Sequence, residues 1–402
     1  MQYHALSIAK HGGRVDLIGY HETAPHPSLS QYPNVKICPL DPPPSVLRSK
    51  SLPFLVSGPL KVIWQVVTLI RILGYDTPPA QWLLVQNPPS IPTLAVAAVM
   101  CRLRNTHLLI DWHNYGWTIL AGTRGSSHPF VRISKLYECI FGRIAPTANL
   151  TVTNAMAKEL RKPPYKILTP ILTMHDRPAA IFQPVRTEHM REDLLQKLDV
   201  TKEAAKDISE GRLRLIVSST SWTPDEDFSL MLDALVQYAN ADSAQTPVLA
   251  IITGRGPQRA MYEAEIKALR EEGRLTGVII KTAFLSFEDY ASLLGCADLG
   301  ICLHKSSSGV DLPMKVVDMF GAGLPVVAYS DYESFSELVR EGDNGCGFET
   351  AEELEAALGR LLSPEGQTEL KTLKQGAIEE GSRRWDEEWD AVVGPLLSMT
   401  EP

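Results

Sequence analysis

Residues 299–330 spell LGICLHKSSSGVDLPMKVVDMFGAGLPVVAYS, and this stretch decides the fold. An apolar run ends in a turn of Ser and Gly, a helical pattern opens at Pro313, and Gly321 and Gly323 precede a second apolar run. A strand, a helix and a second strand joined in this way predict a parallel βαβ unit. Ser and Gly amides at the start of its helix are typical of a phosphate-binding turn, which lies at the carboxyl end of a strand.

The same alternation extends in both directions along the chain. The first half predicts strands at 15–20, 82–87, 107–112 and 150–154, with helices at 92–104 and 130–141. The second half predicts strands at 213–219, 248–254, 278–285, 299–304 and 325–330, separated by helices at 228–239, 258–272, 287–296, 313–321 and 335–341. This is the pattern of an α/β protein with parallel sheets. We expect two doubly wound, Rossmann-like lobes at 1–170 and 171–384, and a C-terminal helix at 385–402 that packs back on the first lobe.

Composition limits the class of protein and separates the two lobes by charge. The chain has 402 residues, 44% of them hydrophobic and 21% charged, which excludes a disordered, collagen-like or coiled-coil protein. Residues 1–165 contain 16 Lys and Arg against 7 Asp and Glu, whereas residues 166–402 contain 23 against 40. A basic first lobe suits an anionic membrane or a phosphorylated substrate, although solubility alone also explains such a bias. Six scattered Cys without a CxxC pair indicate free thiols rather than disulfides or a zinc site.

The most apolar segment is 54–73, FLVSGPLKVIWQVVTLIRIL. Gly58–Pro59 is expected to break it, and Lys61 and Arg71 interrupt its apolar character, so the sequence predicts no membrane-spanning helix. An amphipathic helix that lies on a membrane interface fits the pattern. An ordinary helix that faces the core fits it as well.

Turns that follow strands in the second half carry the candidate phosphate-binding site. In TGRGPQ (253–258), Gly254 and Gly256 allow backbone to approach a phosphate and Arg255 can pair with it, although a tight turn needs the same residues. In SSTSWTPDEDF (218–228), Trp222 is unexpected in a polar turn and is predicted to pack or to contact a ligand. The strand end KTAFL (281–285) suits recognition of a purine by its backbone, or is simply buried.

The Ser- and Gly-rich turn before Pro313 is the strongest candidate for the phosphate-binding site. Ser307, Ser308 and Gly309 are predicted to bind a diphosphate without a metal, since no DxD motif stands at a strand end. Lys315 is expected to add positive charge, and Asp318 to accept hydrogen bonds from ribose hydroxyls. The alternative is a Lys–Asp surface pair on a capped helix.

A second candidate ligand site, with a candidate base, lies in the first half. DWHNYGW (111–117) places an acid, a His, an Asn and three aromatic residues after a strand. Asp111 is predicted to orient His113, and either side chain is a candidate base. Asn114, Tyr115 and Asn87 of QNPPSIP (86–92) are predicted to contact this ligand, since aromatic and amide side chains suit sugar rings. The alternatives are a structural His and prolines that only turn the chain.

These motifs together resemble the chitobiosyldiphosphodolichol β-mannosyltransferase family over nearly the whole chain. The resemblance is carried by QNPPSIP, IDWHNYGWTIL, FGRIA, TNAMAKEL, HDRPA, SSTSWTPDEDF, SLLGCADLGICLHKSSSGVDLPMKVVDMFGAGLPV and NGCGF. It implies two facing Rossmann-like lobes of the GT-B type. It further implies that the turns of the second half, with Trp222, bind the donor, and that Asn87, Asn114 and Tyr115 of the first half bind the acceptor. It also implies inverting β-1,4 transfer of mannose from GDP-mannose to GlcNAc2-diphosphodolichol, the first mannosylation of the N-glycan precursor.

The resemblance further implies a location at the endoplasmic reticulum membrane with both lobes in the cytosol, other mannosyltransferases of the pathway as partners, no nucleic acid and no cofactor. Two departures stand out. Family members begin with a membrane anchor and a strand, so we expect the first strand of the N-terminal lobe to be missing here. Related enzymes carry two Glu eight positions apart, whereas this chain has Val310 and Asp318. Another two-lobe nucleotide-sugar transferase and a non-catalytic scaffold are the alternatives.

Overall fold

The computed structural model describes residues 1–22, 24–48, 53–223, 226–241 and 245–401. They form two compact units. Unit 1 comprises Met1–His175 together with the segment from Asp386 onward, and unit 2 comprises Asp176–Trp385.

Unit 1 contains parallel strands and the helices that connect them. Its strands are Val15–Gly19 (β1), Val35–Pro39 (β2), Trp82–Asn87 (β3), His107–Trp112 (β4), Ala148–Thr151 (β5) and Ile171–Thr173 (β6). Its first helices are Gln2–Lys10 (α1), Ser45–Arg48 (α2), Phe54–Arg71 (α3), Thr93–Arg104 (α4), Gly116–Arg124 (α5), Pro129–Ile144 (α6) and Asn154–Arg161 (α7). Within the described residues the strands form two separate sheets, β1-β2 and β3-β4-β5-β6.

The four-stranded sheet of unit 1 aligns the ends of its strands. Asn87 at the end of β3 pairs with Trp112 at the end of β4, which pairs in turn with Thr151 at the end of β5. Because all four strands are parallel, their carboxyl ends lie at one edge. The loops that begin after Asn87 and Trp112 are therefore neighbours.

Unit 2 is a larger parallel sheet with connecting helices. Its strands are Arg214–Ser219 (β7), Val248–Thr253 (β8), Val278–Ala283 (β9), Leu299–Cys302 (β10), Val326–Tyr329 (β11) and Gly345–Phe348 (β12). Its helices are Glu188–Lys197 (α8), Ala205–Ser209 (α9), Phe228–Ala239 (α10), Arg259–Glu271 (α11), Phe287–Cys296 (α12), Met314–Gly321 (α13), Ala351–Leu362 (α14) and Gln367–Ser382 (α15), and Trp385–Leu396 (α16) follows them in the chain.

Strand order in unit 2 identifies where a ligand is expected. The order is β12-β11-β10-β7-β8-β9, so the chain runs outward from β7 to β9 and then returns to place β10 beside β7. The direction in which successive strands are added to the sheet therefore reverses between β7 and β10. Open parallel sheets bind ligands in the crevice at the carboxyl ends of the strands at this point. Every residue of β8 and β10 is buried, which keeps these ends fixed.

The alternation of strands and helices is confirmed, with bounds that mostly agree to within two residues. One predicted helix is wrong, because 335–341 contains only a short 3-10 turn at Phe335–Glu337. The sequence analysis did not identify the strands β2, β6 and β12 or the helices α2, α5, α7, α8, α9, α14 and α15. The β12 strand, GCGF, has two Gly and lacks a β-branched residue, and its position is fixed by pairing with β11.

The predicted break at Gly58–Pro59 is also wrong, because α3 continues through Pro59. Pro59 is the sixth residue of the helix, and its ring removes only one backbone donor there. Among the described residues, one helix, Val56–Asp76, is long and apolar enough to cross a membrane by length and composition, with a mean hydropathy of 1.4. Only 22% of the most apolar part of this helix is buried. Its exposed apolar side chains include Val56, Leu60, Ile63, Val67 and Ile70.

Candidate functional site

At the reversal point of unit 2, a buried carboxylate joins the turn after β7 to α13. Glu226 accepts hydrogen bonds from the Thr220 hydroxyl (2.9 Å) and from the Ser221 amide (2.5 Å) and hydroxyl (2.9 Å). Its second oxygen pairs with the Lys315 ammonium. Burial opposes ionisation of Glu226, yet Lys315 and Ser221 outweigh it and lower the pKa of this carboxyl. Lys315, which was predicted to add positive charge at this site, is held by Glu226.

The turn after β10 is held in shape by a second buried acid, Asp311. The Ser306 hydroxyl donates to Asp311 and accepts from the Gly309 amide at 2.7 Å. His304 Nε2 lies 3.3 Å from the other Asp311 oxygen. Gly309 has φ of +77°, a left-handed conformation that a residue with a Cβ adopts only with strain. This arrangement leaves Ser307 exposed and Ser308 half-buried ahead of α13.

Asp318 lies one turn beyond Lys315 on α13 and differs from the other acids of the site. Burial, with the nearby charge of Asp176, raises the pKa of Asp318 to about 7. A half-buried carboxylate of this kind is suited to accept hydrogen bonds from a ligand that supplies hydroxyl donors. The alternative interpretation, an i,i+3 surface pair between Lys315 and Asp318, is not what holds Lys315, because Lys315 pairs with Glu226.

Gly254 and Gly256 allow two turns to pack on each other. A Cβ at either position would lie 1.8 Å from a backbone oxygen, that of Thr220 for Gly254 and that of Ser221 for Gly256. The glycines therefore bring the turn after β8 against the turn after β7. Exposed Arg255 lies with its guanidinium 3.5 Å from the centroid of the Phe284 ring, at the end of β9. Stacking occupies the face of the guanidinium, and its N–H donors point outward in its plane.

The prediction that Trp222 contacts the donor is corrected by its burial. Its side chain is fully buried among Phe228, Tyr262 and the remainder of the unit 2 core. Its backbone has φ of +51°, which turns the side chain inward from the polar turn. Trp222 is therefore a packing residue, the first of the two outcomes that its position suggested.

In unit 1, Asp111 joins two histidines at the end of β4. Its Oδ2 lies 2.9 Å from His113 Nε2 and 3.3 Å from His4 Nε2. Trp389 of α16 donates its indole N–H to His4 Nδ1 at 3.0 Å. Because Trp389 can only donate, His4 Nδ1 accepts, and the proton of neutral His4 lies on the nitrogen that faces Asp111. Helix α16 thereby fixes His4, which in turn faces Asp111 beside the candidate base.

The charge state of Asp111 follows from these contacts. Burial opposes its ionisation, but the charge and hydrogen bonds of His113 and His4 hold its pKa well below the usual range. An ionised Asp111 can only accept, so His113 donates through Nε2 and carries its basic lone pair on Nδ1. The His113 side chain is 32% exposed, whereas that of Asp111 is only 6% exposed. Asp111 therefore orients His113 and is not itself positioned to meet substrate.

Two predicted acceptor contacts prove to be internal. Asn87 is fully buried, donates to the Asn114 carbonyl (3.3 Å) and accepts from Ser90 (2.7 Å). Tyr115 is buried against Trp117 and Tyr165. Both residues shape the loop after β4 rather than its outer surface. Half-buried Asn114 uses its side-chain oxygen to accept from the Tyr115 amide at 2.7 Å, and its side chain can reach solvent.

Glu138 of α6 is a structural residue of this loop that the sequence analysis missed. It is fully buried and accepts hydrogen bonds from Ser90, from the Gly116 amide (2.8 Å) and from the Tyr165 hydroxyl (2.5 Å). Burial exceeds the effect of these bonds and raises the pKa of this carboxyl. Glu138 ties the loops after β3 and β4 to α6.

The acids that organise these sites are hard to predict from sequence spacing, because their partners are distant in the chain. Glu226 and Lys315 are 89 positions apart, and Glu138 lies 48 positions from Ser90. Proximity in sequence could have identified two of these acids, because Asp311 lies beside the Ser- and Gly-rich turn and Glu226 lies within 218–228. Among the described residues, no group of three or more His, Cys, Asp or Glu is placed to hold a metal ion. All six Cys are buried and without disulfide partners.

Known proteins resemble the chain both in fold and in sequence. The family model described as "Glycosyl transferases group 1" matches residues 212–364, most of unit 2. The Anabaena protein HepE, solved in complex with UDP and glucose, aligns with a TM-score of 0.67 over 99% of this chain and 95% of its own, at 16% identity. Such structural neighbours are glycosyltransferases of the GT-B type, and this chain shares their fold.

Sequence relatives are far closer than the structural ones. A chitobiosyldiphosphodolichol beta-mannosyltransferase of Arthroderma benhamiae is 50% identical over 94% of this chain and 85% of its own length. The Homo sapiens protein of the same name is 39% identical over 100% of this chain and 90% of its own. The chain is a glycosyltransferase and belongs to the chitobiosyldiphosphodolichol beta-mannosyltransferase family.

Proposed function

We propose that this enzyme transfers mannose from GDP-mannose to GlcNAc2-diphosphodolichol in a β-1,4 linkage, at the cytosolic face of the endoplasmic reticulum membrane. The oriented His113–Asp111 pair at the end of β4 is the observation that carries the chemistry. The names and close identity of the relatives support the choice of substrates.

The proposed reaction is a single displacement with inversion. The O4 hydroxyl of the acceptor sugar attacks the anomeric carbon of mannose, and His113 Nδ1 takes its proton. The bond from the anomeric carbon to the diphosphate oxygen breaks, its electron pair leaves with GDP, and the α-linked donor becomes a β-linked product. Asp111 stabilises the imidazolium that forms, as a buried carboxylate does for a His base.

Donor binding is assigned to the carboxyl ends of β7, β8 and β10 in unit 2. Ser307, Ser308 and Gly309 precede α13, whose N-terminal amides and dipole favour the diphosphate that accumulates charge. Arg255 can add donors in the plane of its guanidinium, and ionised Asp318 can accept from the ribose hydroxyls. Lys315 contributes through Glu226 by holding α13 against the turn after β7.

Acceptor binding is assigned to unit 1, with Asn114 as its one predicted contact that remains near the surface. The exposed apolar side chains of α3 support contact between unit 1 and a membrane, where the dolichol chain would lie. The net basic charge of residues 1–165 also supports contact between unit 1 and the membrane, since cytosolic leaflets are anionic. The proposal needs no cofactor besides the sugar nucleotide.

The full chain in detergent should be supplied with GDP-mannose and phytanyl-diphosphate chitobiose, and the lipid product analysed by mass spectrometry and exoglycosidase digestion. We expect gain of one hexose that β-mannosidase removes and α-mannosidase leaves in place. UDP-glucose and UDP-GlcNAc serve as control donors in the same assay. Transfer from a UDP-sugar without transfer from GDP-mannose would assign a different donor, and absence of transfer from every donor would favour the scaffold alternative.

A further inference from the structure

Helix α6 exposes apolar side chains on its outer face. Its buried residues are Val131, Ser134, Glu138, Cys139 and Gly142, whereas Ile133, Leu136, Ile140 and Ile144 face outward. Leu136 is 62% exposed and Ile144 is 69% exposed. A soluble surface helix normally presents its polar side to water and its apolar side to the core. The outward apolar stripe of α6 therefore requires another explanation.

Basic residues run beside this apolar stripe. Arg132, Lys135 and Arg143 line a shallow cavity of about 370 Å³ with Leu136, Cys139, Ile140 and Pro164. Lys135 also lies 4.1 Å from the centroid of the Trp117 ring, so its charge is fixed near this surface. Glu138, the one acid of α6, is buried and does not neutralise them.

The lack of surface acid extends well beyond α6. Between Asp76 and Glu159 the sequence contains only two acids, Asp111 and Glu138, and both are buried. The same stretch contains seven Lys and Arg. Helix α4 contacts α6 and presents exposed Val99 and Leu103 together with its C-terminal arginines. Apolar and basic side chains without acids thus cover two neighbouring helices.

We propose that the outer face of α6 binds the surface of an anionic phospholipid bilayer, as a site separate from α3. Leu136, Ile140 and Ile144 enter the acyl boundary, and Arg132 and Arg143 contact lipid phosphates beside them. The apolar stripe alone would suit a second protein equally well. The three basic side chains and the missing acids select the anionic membrane, because each Lys or Arg near such a surface favours binding and each acid would oppose it.

This site deepens the proposed function, on which it rests only for placing the enzyme at a membrane. Two anchoring surfaces on one unit, α3 and α6, would fix its orientation as well as its distance from the bilayer. Binding to vesicles needs neither donor nor acceptor. Failure of this site and failure of the proposed function are therefore separable.

The test is flotation of the full chain with vesicles of phosphatidylcholine containing 30% phosphatidylserine, compared with pure phosphatidylcholine. Arg132→Glu with Arg143→Glu should lower the partition coefficient on anionic vesicles at least ten-fold. Leu136→Ser with Ile140→Ser should lower binding to both kinds of vesicle. Lys206→Glu with Lys267→Glu, which makes the same charge change on exposed residues of unit 2, should leave partition unchanged.

Mannosyl transfer to the phytanyl acceptor in detergent serves as the second readout and should be retained by all of these variants. Vesicle binding by the Arg132→Glu, Arg143→Glu form equal to that of the unaltered chain would overturn the proposal. So would sedimentation that shows a dimer which Leu136→Ser with Ile140→Ser dissociates, because α6 would then be an interface between copies. Loss of transfer in detergent by the Glu variants would also count against a purely membrane-binding role.

Discussion

Asp111 in unit 1 and Asp318 in unit 2 are both withdrawn from water, yet their pKa values move in opposite directions. Two histidines face Asp111 and hold it ionised, whereas burial and a neighbouring acid raise the pKa of Asp318 to about 7. The difference shows that burial alone does not set the role of an acid. One aspartate is complete within the protein and serves to orient a base, and the other is stabilised as an anion only when donors from a ligand reach it.

The strongest test of the Asp111 side of this comparison is His113→Ala. If His113 is the base, kcat should fall by about 10²–10⁴-fold while affinity for GDP-mannose remains nearly unchanged. Steady-state kinetics with both substrates, together with donor titration, measure this. His189→Ala, an exposed His of unit 2, is the matched control.

Two other results would revise the role of His113. A higher KM for acceptor at unchanged kcat would make it a binding residue rather than the base. Kinetics equal to those of the unaltered enzyme would remove it from the site. Asp111→Asn then becomes informative, because a base that relies on Asp111 for its tautomer should lose kcat in that variant also.

The Asp318 side predicts an effect on stability. The unfolded chain releases this proton near pH 4, whereas the folded protein retains it until about pH 7. Stability should therefore fall as pH rises through this interval. Asp318→Asn removes the free-energy cost of ionising this buried side chain. The gain in unfolding free energy of the variant over the unaltered protein should therefore grow from pH 4 to pH 7 and reach up to about 4 kcal/mol above pH 7. Denaturant unfolding at several pH values measures it, with Asp193→Asn as an exposed control; a constant difference across pH would contradict the raised pKa.

Asp318 should lower the folding stability of the free protein and increase its affinity for GDP-mannose. Asp318→Ala should weaken GDP-mannose binding ten-fold or more, because a hydrogen bond to a charged group contributes about 1.5–3 kcal/mol. In the unaltered enzyme, donor affinity should decline below about pH 7 as Asp318 becomes protonated. Calorimetric titration across pH measures both effects. Unchanged donor affinity in a folded Asp318→Ala protein would exclude the ribose contact.

The smallest effect concerns α3, and it extends the comparison from two acids to two units. Lys61→Glu with Arg71→Glu should reduce binding to anionic vesicles about five- to thirty-fold, since each basic residue contributes about 1 kcal/mol and Arg71 already faces Asp41 and Asp76. Donor affinity, a property of unit 2, should not change. Vesicle flotation and donor titration report the two quantities, and Lys206→Glu with Lys267→Glu is the control. Equal flotation of variant and unaltered chain would remove α3 from the membrane surface.

The alternation of strands and helices could be predicted because it depends on local patterns. Strand β8 is apolar from Val248 to Ile252, and Ser307–Gly309 precede a helix that starts beside Pro313, so sequence alone locates a turn suited to phosphate. Helix α3 was predicted to break because Pro59 disfavours a helix interior. The helix continues through Pro59 nonetheless, so the local preference of proline did not decide where this helix ends.

The sequence by itself determined the order of the βαβ units, the strand ends that carry polar turns, and the Asp111–His113 pair, which are two residues apart on one strand end. Tertiary structure alone decided which side of each element faces the core. It buried Trp222, Asn87 and Tyr115, and it turned the apolar stripe of α6 outward. It also joined Glu226 to Lys315 across 89 positions. The physical reason is that periodicity records the two faces of an element, whereas the partner that covers one of them comes from distant sequence.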